Sequence, residues 1–121
     1  MTIKDKELLL KDLSARLPYG VKLDTPDGVD TLGNVDINEG WVNASYDVDE
    51  VKPYLRPMCS ITEEEIKELS EIDMKRVIFS SRHLTWHLDG EVIDYLNKKM
   101  FDWRGLIEKG LALKAPEGMY D

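Results

Sequence analysis

Residues 21–50, which read VKLDTPDGVDTLGNVDINEGWVNASYDVDE, decide the predicted fold class. Short runs in which apolar and polar residues alternate, as in half-buried strands, are separated here by turn sequences. Pro26-Asp27-Gly28 and Asn38-Glu39-Gly40 are turns, because proline presets φ and glycine tolerates positive φ. Connections this short join antiparallel neighbours. The predicted strands cover about residues 21–24, 31–37 and 42–48.

An amphipathic helix is predicted before this stretch, at about residues 4–17. Leucines recur there at helical spacing with charged residues between them, so one face of the helix is apolar. The leucines of this face are Leu9, Leu10, Leu13 and Leu17. Pro18 and Gly20 follow directly and are expected to end the helix.

Two further helices are predicted after the strands. Thr62 and Glu65 have the spacing of a capping box, in which each side chain bonds the backbone N–H of the other residue, so a helix should begin there. Asp89 is a candidate N-cap for another helix at about residues 90–100. Between them, residues 73–88 fit either a fourth strand or a helical face, because periodicity alone does not separate the two.

Residues 52–57, Lys-Pro-Tyr-Leu-Arg-Pro, are predicted to be extended. Proline has no N–H to donate to a ladder, so this segment is not expected to be a central strand. Together the elements predict an α+β fold in a single domain, residues 1–121, with an N-terminal helix, a three- or four-stranded antiparallel sheet and two further helices. A small, partly open barrel formed by residues 20–56 is the alternative.

The net charge is confined to one segment. From Asp24 to Glu50 there are eight acidic residues and no Lys or Arg. The rest of the chain has as many basic as acidic residues, so this segment accounts for the whole net charge of −8. Nucleic-acid binding is disfavoured, because it requires a basic surface that displaces counterions from phosphates. A solvated sheet edge explains such a run, and a single-sign patch that attracts a basic protein is the other interpretation.

Cysteine usage and hydropathy indicate the compartment. The single cysteine, Cys59, excludes an internal disulfide framework. Charged residues interrupt the N-terminal apolar positions every few residues, so the apolar run of a signal peptide is missing. No stretch approaches the roughly 20 apolar residues of a membrane span. We therefore expect a cytoplasmic protein that does not contact a membrane.

No motif predicts a metal site, a cofactor or an enzyme. His83 and His87 would share a helical face, but zinc needs three or four ligands. Residues 36–47 resemble a calcium loop only weakly, since Trp41 and Asp47 stand where an EF-hand requires glycine and glutamate. Nucleophile elbows and phosphate-binding loops are likewise missing from the sequence. The expectation is a protein without metal, cofactor or catalytic residues.

Aromatic and arginine residues, which are enriched at protein interfaces, give candidate partner-binding positions. Tyr54 and Arg56 lie in the proline-bounded segment, and Trp103 and Arg104 lie in Phe-Asp-Trp-Arg-Gly. The alternative is structural: Trp103 would fill the core, and Arg104 would cap a helix end or pair with Asp102. The acidic candidates for the single-sign patch are Asp30, Asp36, Asp47 and Asp49.

Three blocks of the sequence resemble an uncharacterised family of small proteins. They are LLLKDLSARLPYGV, VKPYLRPMCSITEEE and DYLNKKMFDWRGLIEKGLALKAPEGMY. The family is associated with gut anaerobic bacteria and with their phages and mobile elements, and it has no known function. The resemblance implies an accessory or host-interaction role. Lys98 and Lys99 stand where the family pattern has histidines, which disfavours a histidine-based activity.

These observations predict a non-enzymatic protein-interaction or accessory protein with an unknown protein partner. The alternative is an acidic decoy of nucleic acid, which would occupy the basic nucleic-acid-binding surface of another protein. The two differ in the contacts they require. A decoy depends on carboxylates alone and weakens steeply with salt, whereas an ordinary interface also depends on apolar side chains.

Overall fold

The chain begins with helix α1 (Ile3–Arg16), close to the bounds that the leucine spacing predicts. The computed structural model describes residues 1–72, 78–79, 84–85 and 90–120. Leu9 and Leu13 are fully buried on the apolar face of α1. Residues Leu17–Tyr19 form a 3-10 turn, after which Gly20 adopts a left-handed conformation with φ of 66°. The predicted end of this helix is therefore confirmed.

The strands of the described residues are short. They are β1 (Lys22–Thr25), β2 (Gly28–Thr31), β3 (Val35–Asp36), β4 (Trp41–Val42), β5 (Tyr46–Asp47), β6 (Lys52–Leu55), β7 (Ile78–Phe79), β8 (Leu84–Thr85) and β9 (Leu113–Lys114). They form a four-stranded sheet with the order β2-β1-β6-β9, a three-stranded sheet with the order β3-β4-β5, and a two-stranded β7-β8 pair. The predicted α+β class is confirmed, and these strands do not close into a barrel.

The four-stranded sheet is mixed. β1 pairs antiparallel with β2 across the predicted turn and antiparallel with β6 on its other side. β9 pairs parallel with β6, in the register Tyr54↔Leu113 and Leu55↔Lys114. β2 is an edge strand, and all four of its residues are exposed. The charge of Asp30 on this exposed edge disfavours the addition of a further strand.

The prediction that residues 52–57 avoid the centre of a sheet is wrong, because β6 lies between β1 and β9. β1 pairs with β6 at Lys52 and Pro53, whereas β9 joins the sheet only at Tyr54 and Leu55. Pro53 is therefore flanked by a strand on one side only. A central strand tolerates proline when its two neighbours contact different residues in this way.

The predicted strand at about 42–48 is also wrong as a continuous element. A turn at residues 43–45 divides it into β4 and β5, which pair with each other. Asn43 and Ala44 have left-handed φ values of 52° and 57°. Asparagine tolerates this region, whereas alanine does not favour it, so the sequence around Ala44 gave no indication of a turn.

The second half of the chain contains helices α2 (Glu63–Ile72) and α3 (Gly90–Lys98). The Thr62–Glu65 capping box is confirmed: the Glu65 N–H donates to Thr62 Oγ1 at 3.2 Å, and the Thr62 N–H donates to Glu65 Oε1 at 3.1 Å. Within the ambiguous segment, β7 and β8 are antiparallel strands. The predicted cap at Asp89 lies outside the described residues.

Two hydrophobic clusters hold these elements together. The larger joins the leucine face of α1 to both larger sheets and to Leu106 and Leu111 of the C-terminal segment. The smaller joins α2 to α3 through Leu69, Leu96 and Phe101. Among the described helices, none is both long and apolar enough to span a membrane.

Candidate functional site

Trp103 and Arg104, two of the predicted partner-binding residues, belong to a partly buried network. The Arg104 guanidinium carbon lies 4.1 Å from the centroid of the Trp103 ring. Arg104 Nε donates to Asp12 Oδ1 at 3.1 Å, while Trp103 Nε1 donates to Asn97 Oδ1 at 2.9 Å. Trp103 also packs against the smaller hydrophobic cluster. Both side chains therefore make internal contacts, although Trp103 is only partly buried and Arg104 pairs with Asp12, whereas Asp102 accepts from the Leu106 and Ile107 N–H groups.

Asp12 connects this network to the centre of the molecule. Arg16 and Asp12 are both fully buried, and Arg16 Nε donates to Asp12 Oδ2 at 2.9 Å. Arg16 Nη2 donates to Asp12 Oδ1 at 3.2 Å and to the Phe101 carbonyl at 2.7 Å. One carboxylate thus binds two arginines, one on α1 and one on the segment after α3. A buried charge tolerates desolvation only when it is paired and hydrogen-bonded in this way.

Arg56 is held in a second internal ion pair. Its Nη1 and Nη2 each donate to a Glu65 carboxylate oxygen at 2.7 Å, and its guanidinium carbon lies 4.2 Å from the Phe101 ring centroid. The hydrogen bonds from Arg56, followed by those from Thr62, lower the pKa of Glu65 to about 2. These contacts attach α2 to the end of β6. The exposed part of Arg56 lines a cavity that is described below.

Tyr54 is half-buried in the middle of the four-stranded sheet. Its carbonyl accepts a hydrogen bond from the Tyr120 hydroxyl at 2.6 Å, and that hydroxyl accepts one from the Lys22 N–H at 2.9 Å. Burial raises the pKa of Tyr120 to about 12. The structure therefore places Tyr54 on β6 and Arg56 directly after it, where Arg56 forms a β-bridge with Phe101, while Trp103 and Arg104 belong to the Asp12 network.

A cavity of about 900 Å³ lies between α2, the end of α3 and residues 114–120. Its lining includes the basic residues Lys98, Lys99 and Lys114 and the acidic residues Glu64 and Glu68. Because the charges are mixed, the cavity does not present one sign of charge to a ligand. In the described part of the chain, no three His, Cys, Asp or Glu residues are grouped as metal ligands would be, and His83 and His87 lie outside it.

The acidic candidates lie on the hairpins of the first half of the chain. Asp30 on β2 and Asp49 are exposed, and Lys6 Nζ lies 3.4 Å from Asp49 Oδ2. Asp36 and Asp47 are half-buried and stand on β3 and β5, the two outer strands of the three-stranded sheet. The structure thus brings Asp36 and Asp47 to one sheet, whereas Asp30 and Asp49 lie on neighbouring segments.

The three-stranded sheet has one apolar and one polar face. Val42 is fully buried, and Val35 and Tyr46 pack against the larger cluster. Residues directly opposite each other on antiparallel strands share a face, and alternate residues point to opposite faces. The register pairs Trp41 with Asp36 on one side and with Asp47 on the other. These three residues therefore share the outer face, which we call the Trp41 face.

Trp41 is unusually accessible for a tryptophan, with 44% of its surface exposed. Ile37, the residue that follows β3 and begins the turn to β4, is 60% exposed. A small cavity of about 240 Å³ lies beside the indole and is lined by Asn34, Asp36, Trp41 and Ala44. The candidate site thus combines an aromatic ring, an exposed aliphatic side chain and two carboxylates.

The carboxylates of the Trp41 face are oriented by the backbone. Asp36 Oδ1 accepts from the N–H groups of Asn38 and Glu39, each at 3.1 Å. Asp47 Oδ1 accepts from the Asp49 N–H at 3.2 Å. Among the described residues no hydrogen bond is directed at Asp36 Oδ2, so Asp36 retains one oxygen for a ligand, whereas the Asp47 side chain also caps the Glu50 N–H. Such a pair can bind a cation or a cationic side chain.

Asn43 fixes the three-stranded sheet to the β1–β2 hairpin. Its Oδ1 accepts from the N–H groups of Gly33 at 2.7 Å and Asn34 at 3.1 Å. Its Nδ2 donates to the Thr31 carbonyl at 3.0 Å and to Asp30 Oδ2 at 3.2 Å. The left-handed backbone of Asn43 directs the side chain into these four contacts. The Trp41 face is consequently supported in one geometry before any ligand binds.

Sequence reasoning did not single out Trp41 or Ile37. The indication was present, however, because the predicted strand assigned Val42 to the inner face, and period-two alternation then assigns Trp41 to the outer face. A tryptophan that faces water within an acidic segment is a binding-site candidate. Comparison of the chain with protein-family models, curated proteins and solved structures gives no match.

Proposed function

We propose that this chain is a non-enzymatic protein-interaction protein of the cytoplasm and that it binds a basic protein partner through the Trp41 face. One observation carries the proposal: an accessible tryptophan stands between two carboxylates on the solvent face of a sheet. Tryptophan is among the residues that contribute most to binding energy at protein interfaces. The accessory role implied by the resemblance to a family of phages and mobile elements agrees with this function.

The charges around the face support a basic partner. All eight acidic residues between Asp24 and Glu50 belong to the hairpins or their connections, and this segment of the sequence contains no Lys or Arg. A surface of one sign attracts an oppositely charged partner over about a Debye length, ~8 Å at physiological salt, and accelerates association. The apolar contact at Trp41 and Ile37 would then hold the complex after the encounter.

A comparison of captured proteins tests this function. Immobilised wild-type protein and the Trp41→Ala variant are exposed to the same host lysate, with Tyr19→Ala as the control, since Tyr19 is an exposed aromatic residue outside the face. We expect specific partners to be retained by wild type and by Tyr19→Ala but to be lost from Trp41→Ala. Capture of the same proteins by Trp41→Ala would contradict the proposal.

The acidic-decoy function is a second candidate, supported by the unbroken run of acidic residues. It predicts that the captured protein binds DNA and that DNA competes for it at low salt. Replacement of Asp30, Asp36, Asp47 and Asp49 by Asn should then abolish capture, whereas Trp41→Ala should have little effect. A complex that survives about 1 M salt, where charges are screened within about 3 Å, and that requires Trp41 excludes the decoy.

A further inference from the structure

We infer that the Trp41 face recognises an arginine side chain of the partner and prefers it to lysine, an inference that rests on the proposed function. The first support comes from how the molecule holds its own arginines. Arg104 stacks over Trp103 while its Nε binds Asp12, and Arg56 lies over Phe101 while both its terminal nitrogens bind Glu65. In both cases a guanidinium lies over an aromatic ring while a carboxylate binds its N–H groups.

The Trp41 face presents the same two components on its surface. Asp36 and Asp47 stand directly opposite Trp41 on the two neighbouring strands, and such cross-strand pairs have Cβ atoms about 4.5–5.5 Å apart. The indole is 44% exposed, and among the described residues no Lys or Arg lies over it. A side chain that approaches from solvent can therefore contact the ring and reach a carboxylate on either side.

Arginine fits this arrangement better than lysine. Its guanidinium is planar and weakly hydrated, so it stacks on an indole, and its fork of N–H donors binds carboxylates through two bonds at once. A lysine ammonium is compact and strongly hydrated, and it gains less from the aromatic surface. Because Asp36 Oδ2 is unoccupied by described donors, a guanidinium can bond this carboxylate while it stacks.

The residues around the Trp41 face indicate what else the partner segment contains besides the arginine. Ile37, which is 60% exposed, follows Asp36 directly after the end of β3 and offers an exposed apolar side chain next to that carboxylate in the chain. The surrounding acidic residues repel a second copy of this chain, because the same face would meet the same charges. The occupant is therefore a segment of another protein with an arginine next to an apolar residue, within a basic sequence.

Fluorescence polarisation with labelled peptides tests the inference. The probes are an eight-residue peptide with three arginines and two valines, the same peptide with lysines, and the same peptide with citrullines, which keep the shape without the charge. At 150 mM salt we expect wild type to bind the arginine peptide about three- to fivefold more tightly than the lysine peptide, the range of an exposed cation–π contact. The citrulline peptide should bind weakest.

Variants locate the effect. Trp41→Ala should abolish the preference for arginine and Trp41→Phe should retain part of it, whereas Tyr19→Ala should change neither affinity. Asp36→Asn and Asp47→Asn should each weaken the binding of the arginine peptide. Thermal melts verify that every variant is folded. Equal affinity of wild type for the arginine and lysine peptides overturns the inference but leaves the proposed function intact. Failure to bind either peptide also overturns it, and the lysate comparison then decides the proposed function independently.

Discussion

At the scale of single residues, Asp12 has a demanding environment. It is fully buried, and it binds Arg16 on its own helix and Arg104 on the C-terminal segment. Each arginine would be costly to bury without this carboxylate, because an ion removed from water must recover its solvation from a partner. These three side chains therefore join α1 to the C-terminal segment of the chain. They stabilise the fold only when all three are present.

Removal of the Asp12 carboxylate is expected to lower the stability strongly. Asp12→Ala leaves the Arg16 charge buried without its ionic partner and should reduce the free energy of unfolding by about 3–5 kcal/mol. Arg104→Ala should cost less, because its side chain is partly exposed. Urea denaturation measures both variants. A loss below about 1 kcal/mol for Asp12→Ala would show that Arg16 finds another partner.

Glu65 makes the stability of the protein depend on pH in the acidic range. Its pKa is lowered to about 2 in the folded protein, chiefly by the hydrogen bonds from Arg56. The pKa in the folded protein lies below the ordinary value of 4.5. The carboxylate therefore makes its full contribution to the stability above about pH 4.5, and this contribution is lost as the pH falls towards 2. Wild type should therefore exceed Glu65→Gln in stability near neutral pH, and the difference should shrink in acid.

Denaturant midpoints measured at several pH values test this dependence. Glu64→Gln is the matched control, because Glu64 is the exposed neighbour on the same helical turn and should behave like wild type. A difference between wild type and Glu65→Gln that stays constant from about pH 5 to pH 2 would show that the Arg56–Glu65 pair is not a source of the acid sensitivity.

At the scale of elements, the start of α2 depends on one side chain. Thr62 Oγ1 accepts from the Glu65 N–H, and Glu65 returns the contact to the Thr62 N–H. Thr62→Ala should lower the free energy of unfolding by about 1 kcal/mol, because alanine leaves a helix-start N–H without its acceptor. Chemical denaturation measures the change, and Thr62→Ser, which keeps the hydroxyl, should restore most of it.

A negligible effect of Thr62→Ala, within a few tenths of a kcal/mol, would mean that water replaces the hydroxyl at this helix start. Thr2 offers a comparison within the same molecule, since it forms the same box with Asp5 at the start of α1. That box is exposed on both sides. Thr2→Ala should therefore cost less than Thr62→Ala, whose partner Glu65 is also bound to Arg56.

At the scale of the whole molecule, the acidic segment and the histidines raise the question of metal binding. The sequence predicts solvated carboxylates rather than a ligand set, and no three candidate ligands lie together in the described part of the chain. EDTA should therefore leave the melting temperature unchanged, and added zinc or calcium should raise it by less than about one degree, because a ligand that binds only the native state must stabilise it by mass action. A calcium-dependent rise would instead point to the loop between Asp36 and Asp47.

The sequence by itself determined the features that depend on neighbouring residues. The end of α1 before Pro18, the Thr62 cap and the turn before Gly28 all follow from local backbone preferences, so they were predicted correctly. The α+β class followed from the same periodicities. The confinement of the net charge to residues 24–50 is also a property of the sequence alone.

Only the tertiary structure decided which distant segments meet. The parallel pairing of β6 with β9, the central position of Pro53 and the binding of Arg104 by Asp12 join residues far apart in the chain. Local periodicity carries no information about such contacts, because they depend on the packing of the whole core. The Trp41 face arose in the same way: the turn at Asn43 folds β5 against β4, and that pairing places the second carboxylate beside Trp41.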